Sequence, residues 1–187
     1  GVENGDSLRI WREYFTNANI CGIDIDKKNF KITNVDIRQG DQSNHTFLLS
    51  LINDYKKFDI IIDDGSHQAK HIITSFNFLY PYLSENGIYV VEDLQTSYFP
   101  RYGGSRINLN KKRSSMNFIK SLTDSINYEK NNRPFFKKNR FDGQIQSINF
   151  HQNIAFIYKG ESVNYFYNQN FKVKILDKIK EIISKFF

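Results

Sequence analysis

Two short stretches put acids side by side at the ends of the most apolar runs in the chain: IIIDDGSH, residues 60–67, and YVVED, residues 89–93. Both runs read as buried strands, and one helical segment separates them, so the simplest topology makes them neighbours in a sheet. Adjacent strands lie about 4.8 Å apart. Asp63, Asp64, Glu92 and Asp93 would then crowd together, and like charges that close resist joint ionisation. A divalent cation turns that penalty into binding energy. Carboxylate oxygens suit a hard ion such as Mg²⁺, with Asp64, Glu92 and Asp93 as its ligands. The plainer explanation is that the acids cap the helices that follow, since Asp is a good N-cap. It suffices for one acid; two doubled sets on neighbouring strands weigh towards the metal.

His67 stands three residues beyond Asp64. A neutral imidazole there can take a proton from a hydroxyl. His71 completes a His-x-x-x-His spacing, but a zinc site needs further ligands that the chain does not offer nearby. It reads as solvent-facing or as a support for the site, and His45 and His151 read as surface or turn residues.

The elements that must position these groups alternate. Residues 6–14 are helical, with Leu8, Trp11 and Phe15 on one face and Asp6 or Ser7 able to cap the start. NICGIDID and KITNVDIRQGD read as strands ending in Asp24 and Asp41. TFLLSLINDYKK is an amphipathic helix. FDIIID is apolar on both faces, which suits the middle of a parallel sheet. HIITSFNFLYPYL is a helix, and NGIYVVED turns at Asn86-Gly87 into another strand. Strand–helix alternation predicts an α/β fold whose carboxylates collect at the strand carboxyl ends, where ligands bind in open sheets. Further on, MNFIKSLTDSINYEK is helical, and QIQSINFHQNIAFIYKG predicts an antiparallel hairpin turning at His151-Gln152-Asn153. The last residues, 161–187, form an amphipathic helix that packs on the core or on another subunit.

Composition sets the outer limits. The 187 residues allow one domain, and 40% hydrophobic with 25% charged residues is ordinary for a globular protein. A net charge of +6 favours anionic partners without arguing for nucleic acid. The basic runs around Lys111–Arg113 and RPFFKKNR read first as solvated surface. No apolar run approaches the roughly 20 residues of a spanning helix. A single Cys21 fits a reducing compartment, and no leader-like segment opens the chain, so a cytoplasmic protein is expected.

Taken together, GVENGDS before a helix, then GIDID, GDQS, IIIDDGSH and VVEDLQTSYFPRYGG resemble a class I S-adenosylmethionine-dependent methyltransferase. More narrowly, the chain is similar to the magnesium-dependent macrolide sugar O-methyltransferases of the mycinamicin and macrocin type. The resemblance implies a Rossmann-like, mostly parallel sheet with a C-terminal antiparallel hairpin, spanning 1–160, with a substrate-loop insertion at about 94–142. It implies S-adenosylmethionine contacts from Gly1, Val2, Gly5, Ser7, Asp24, Asp41, Gln42 and Asp63. It also implies Mg²⁺ on Asp64, Glu92 and Asp93, His67 as general base, and Tyr98 and Tyr102 in a loop over a sugar substrate. The family's first strand precedes the glycine-rich turn, and it is absent because the chain begins at Gly1. The chain is therefore expected to be a piece of a longer active protein, since decay would scatter the retained acids. Two rivals stay open: a metal-dependent α/β hydrolase using the same acids, and an inactive methyltransferase-like binding protein. Self-association is compatible with all three.

Overall fold

The computed structural model describes residues 1–128 and 139–161. Helix α1 (Asp6–Tyr14) leads into strands β1 (Ile20–Asp24) and β2 (Val35–Gln39), helix α2 (His45–Tyr55), strand β3 (Phe58–Asp63), helix α3 (Ala69–Leu79) and strand β4 (Leu83–Val91). Short helices α4 (Ser115–Ser121) and α5 (Thr123–Ile126) precede the hairpin of β5 (Ile145–His151) and β6 (Ile154–Lys159). The α/β alternation and the hairpin follow the pattern of the sequence. The basic segment RPFFKKNR falls largely outside the described residues, and the amphipathic tail helix does so almost entirely.

Strands β1 and β2 pair in parallel, as do β3 and β4, whereas β4–β6 and β6–β5 are antiparallel. The sheet is thus mixed, parallel pairs joined by the expected antiparallel hairpin, and it lies in two hydrogen-bonded pieces, β1-β2 and β3-β4-β6-β5. No strand among the described residues pairs with the free edge of β3. Ile60 and Ile62 are accordingly 46% and 36% exposed.

The high aromatic content is spent in the core beneath β4. Phe76 of α3 is fully buried and stacks on Tyr80, with Tyr89, Phe118 and Phe141 meeting it edge-on. Such edge contacts suit the ring quadrupole. Pro81 ends α3 in a turn of 3₁₀ helix, because it cannot continue an α-helical ladder. The buried Lys159 amine donates to the Pro81 carbonyl in this turn and to the Leu83 carbonyl just after it. The core therefore clamps α3 against β3 and β4 and fixes the two strand ends that carry the acids.

Candidate active site

The register of β3 and β4 pairs Asp63 with Val91, and the Glu92 N–H continues the ladder to the Asp63 carbonyl at 3.1 Å. The acids thus leave the sheet side by side. Both chains turn sharply there: His67 and Asp93 take left-handed backbone conformations with φ of 55° and 52°. Non-glycine residues adopt that region at a cost and cluster at functional sites. The two turns bring His67 Nε2 within 3.4 Å of Asp93 Oδ2. The other Asp93 oxygen accepts a 2.9 Å hydrogen bond from the Gln95 amide, and the Tyr102 ring stands edge-on to His67 at 6.3 Å.

Asp64, His67 and Asp93 each offer a ligand atom, and these atoms lie within 4.8 Å of one another. Asp64 is exposed and its carboxylate accepts no hydrogen bond from the described residues. Glu92 is half-buried; burial pushes its carboxyl up, and the charges of Asp64 and Asp93 push it further. The convergent group holds Asp64 and Asp93 with His67 and leaves out Glu92, and its crowded, accessible carboxylate oxygens are a donor set that fits a hard cation such as Mg²⁺.

A cavity of about 230 Å³ opens at the strand ends, lined among others by Gly1, Asp24, Asp41, Gln42, Asp63 and Asp64. Asp24 holds the N-terminal turn: it accepts the Val2 and Glu3 N–H groups, the Asp26 N–H and the Lys28 amine. Burial pushes its carboxyl up, but these donors outweigh that and hold it well below the usual range. Asp41 binds the Ser43 N–H and hydroxyl, and these bonds lower its pKa. Gly5 has φ 81°, and a Cβ there would strike Phe30, so it shapes the turn. Val2 is buried and Ser7 is exposed on α1, and neither lines the cavity. Tyr98 is 39% exposed. His71 is no surface residue: it lines the cavity and its Nδ1 meets Ser66 Oγ at 2.9 Å. Of the two readings of His71, the supporting one fits this placement; Ser66 and Gln95 were not legible as site residues, because their partners are set by tertiary placement.

The geometry defines a class. Parallel strands ending in acids, a cavity over their carboxyl ends and an antiparallel hairpin on the same sheet make up the class I methyltransferase fold. The MycE methyltransferase of the mycinamicin pathway, solved with Mg and SAH, superposes with a TM-score of 0.78 at 36% identity, covering 84% of this chain and 41% of that one. Its complex that also holds the macrolide superposes at 0.75 with 34% identity, covering 87% and 42%. Mycinamicin VI 2''-O-methyltransferase of Micromonospora griseorubida is 36% identical over 84% of this chain and 40% of its own length. The 8-demethyl-8-alpha-L-rhamnosyl tetracenomycin-C 2'-O-methyltransferase of Streptomyces olivaceus is 39% identical over 83% and 41%. Demethylmacrocin O-methyltransferase of Streptomyces fradiae is 37% identical over 83% and 40%. No family model matches the chain. Its curated homologues are thus macrolide sugar O-methyltransferases and their kin, and the chain spans about 40% of their length. Among the described residues, no helix is long and apolar enough to cross a membrane.

Proposed function

We propose that the protein carrying this chain transfers a methyl group from S-adenosylmethionine to a hydroxyl of a sugar on a glycosylated small molecule, with Mg²⁺ bound at the end of β3 and β4, and that it works in the cytoplasm. The observation that carries this reading is the convergence of Asp64, His67 and Asp93, with the electrostatically stressed Glu92 beside them. The named activities of the homologues agree with it.

Asp64, Glu92 and Asp93 hold the ion, which when bound would orient a vicinal diol and lower the pKa of the reacting hydroxyl. His67 accepts the hydroxyl proton as the oxygen forms its bond to the methyl carbon and the sulfur–carbon bond breaks, leaving S-adenosylhomocysteine. Tyr102 backs the imidazole and limits its rotation. Asp24, Asp41 and the turn at Gly1 border the space for the cofactor, and Tyr98 belongs to the rim where an acceptor enters. Most of the rate enhancement comes from positioning, since a sulfonium is already a good leaving group.

The test is methyl transfer by the full-length protein from labelled S-adenosylmethionine to a panel of rhamnosides and glycosylated macrolides, with EDTA and after Mg²⁺ is restored. Transfer that EDTA abolishes and Mg²⁺ recovers is the expected result. Transfer indifferent to EDTA removes the metal from the reading. Metal-dependent hydrolysis without cofactor binding replaces the reading by the hydrolase alternative.

A further inference from the structure

Asp63 and Asp64 are consecutive, but Asp63 is buried and Asp64 is exposed. Asp63 is only 7% exposed. Its Oδ2 accepts the Ser75 hydroxyl of α3 at 2.5 Å and the Tyr89 hydroxyl of β4 at 3.0 Å. Its Oδ1 accepts the Gln42 amide N–H at 2.8 Å. The other end of the same Gln42 amide accepts the Ser66 backbone N–H at 2.7 Å. Gln42 therefore ties the buried carboxylate to the middle of the turn that carries Asp64 on one side and His67 on the other. A Cβ on Gly65 would stand 2.1 Å from Gln42 Oε1, so the glycine in DDGSH leaves room for this amide. The left-handed His67 backbone costs on the order of 1 kcal/mol or more and persists only where its surroundings over-determine it. The Gln42 bridge supplies a constraint of that kind.

We infer that Gln42 is a positioning residue, clamped by the buried Asp63–Ser75–Tyr89 cluster, that holds the 64–67 turn in the conformation presenting Asp64 and His67 to the metal and the acceptor. This departs from the sequence-based expectation that Gln42 and Asp63 bind S-adenosylmethionine, and it rests on the proposed Mg²⁺ site. Three of the roughly four acceptor sites of the Asp63 carboxylate meet protein donors, and Gln42 uses both ends of its amide within the protein.

The test separates positioning from cofactor contact. Mg²⁺ and S-adenosylhomocysteine are titrated calorimetrically, each alone, into the full-length protein and its Gln42→Ala and Asp63→Asn variants. Amide hydrogen exchange of residues 64–67 is followed in metal-free protein. In Gln42→Ala, Mg²⁺ affinity should fall on the order of tenfold, as for partners that orient metal ligands. Exchange at Ser66 and His67 should accelerate, and S-adenosylhomocysteine affinity should stay within about twofold. Asp63→Asn should retain wild-type Mg²⁺ affinity, because its amide oxygen can still receive Gln42 while the rotatable Ser75 and Tyr89 hydroxyls accept from its NH₂. Gly65→Ala, which pushes the Gln42 amide away without removing it, should reproduce the Gln42→Ala result. Loss of cofactor affinity with Mg²⁺ affinity intact would overturn the inference in favour of direct contact. Unchanged Mg²⁺ affinity and exchange in Gln42→Ala would overturn it outright. Failure of the wild-type protein to bind Mg²⁺ is a different result, and it removes the metal reading itself.

Discussion

The carboxylates at the ends of β1 and β2 and those at the ends of β3 and β4 live in opposite electrostatic worlds. Asp24 and Asp41 are met by backbone N–H groups, a hydroxyl and an amine, and both are held below the ordinary carboxylate range. Glu92 is pushed up by burial and by Asp64 and Asp93, and Asp64 finds no protein donor among the described residues. One end of the sheet is finished by the protein itself. The other keeps like charges close together, with Asp93 met by Gln95 and His67 and Asp64 open to solvent. Perturbed carboxylates cluster at functional sites, so the difference supports the proposed Mg²⁺ site at the ends of β3 and β4.

The hardest blow to the unfinished end is removal of His67. His67→Ala should lower kcat by about 10²–10⁴-fold, the usual worth of a general base, with Mg²⁺ affinity changed far less than by loss of an acid. Next comes Asp64→Asn. It should lower methyl transfer on the order of 10²-fold, at least as much as disturbing a residue that merely orients a metal ligand. In EDTA the same variant should melt at a temperature equal to or above that of wild type, because one of the crowded like charges is gone. Its stabilisation by Mg²⁺, expected at about 2.7 kcal/mol when the ion is at a hundred times its Kd, should disappear. An Asp64→Asn protein that is destabilised without metal would erase the contrast between the two ends. Calorimetric melting with and without Mg²⁺ reads both quantities.

At the junction of the two regions stands Asp63, satisfied like Asp24 although it neighbours Asp64. Asp63→Ala leaves the buried hydroxyls of Ser75 and Tyr89 without their shared acceptor. Ser75 can still donate to the Ile72 carbonyl and Tyr89 to Ser75 Oγ, so the cost in urea unfolding should be about 1–3 kcal/mol, the range for disturbing a buried hydrogen-bonded group. Tyr89→Phe removes a single donor and should cost about 1 kcal/mol.

The doubled acids were legible in the sequence because they are adjacent in it and sit at the ends of apolar runs. Pairing the two runs needed only the rule that strands flanking one helix tend to be neighbours. What stayed hidden was which acid of each pair was already spoken for. Asp63 is satisfied by residues 21, 12 and 26 positions away, and Ser66 is held by Gln42 across 24. Such partners depend on where α3 and the loop after β2 settle, and no local pattern encodes that. For His71 the sequence left two readings, solvent-facing or supporting the site, because a histidine four residues after another on a helix says nothing about the cavity wall it meets.

The finished end yields the gentler predictions. Asp24 has its folded-state pKa depressed below an unfolded value near 3.9. Its contribution is therefore fully present above about pH 5 and is lost as pH falls through the unfolded value towards the folded one. Asp24→Asn should flatten the acid limb of the stability–pH curve below about pH 4, and an unchanged limb would mean that the turn at Val2 does not depend on this charge. Lys28→Ala is the smallest perturbation. The Lys28 amine lies 3.0 Å from Asp24 Oδ2, with side-chain exposures of 15% and 11%, so it is screened less than an open surface pair. Yet the Val2, Glu3 and Asp26 N–H groups remain on the carboxylate after the amine is removed. The loss should be about 0.5–1 kcal/mol at pH 7 and shrink in high salt. It should vanish in the Asp24→Asn background, since the amine then has no charge to meet. A loss from Lys28→Ala as large in that background as in wild type would show that Lys28 works by packing its methylenes and not by completing the acid.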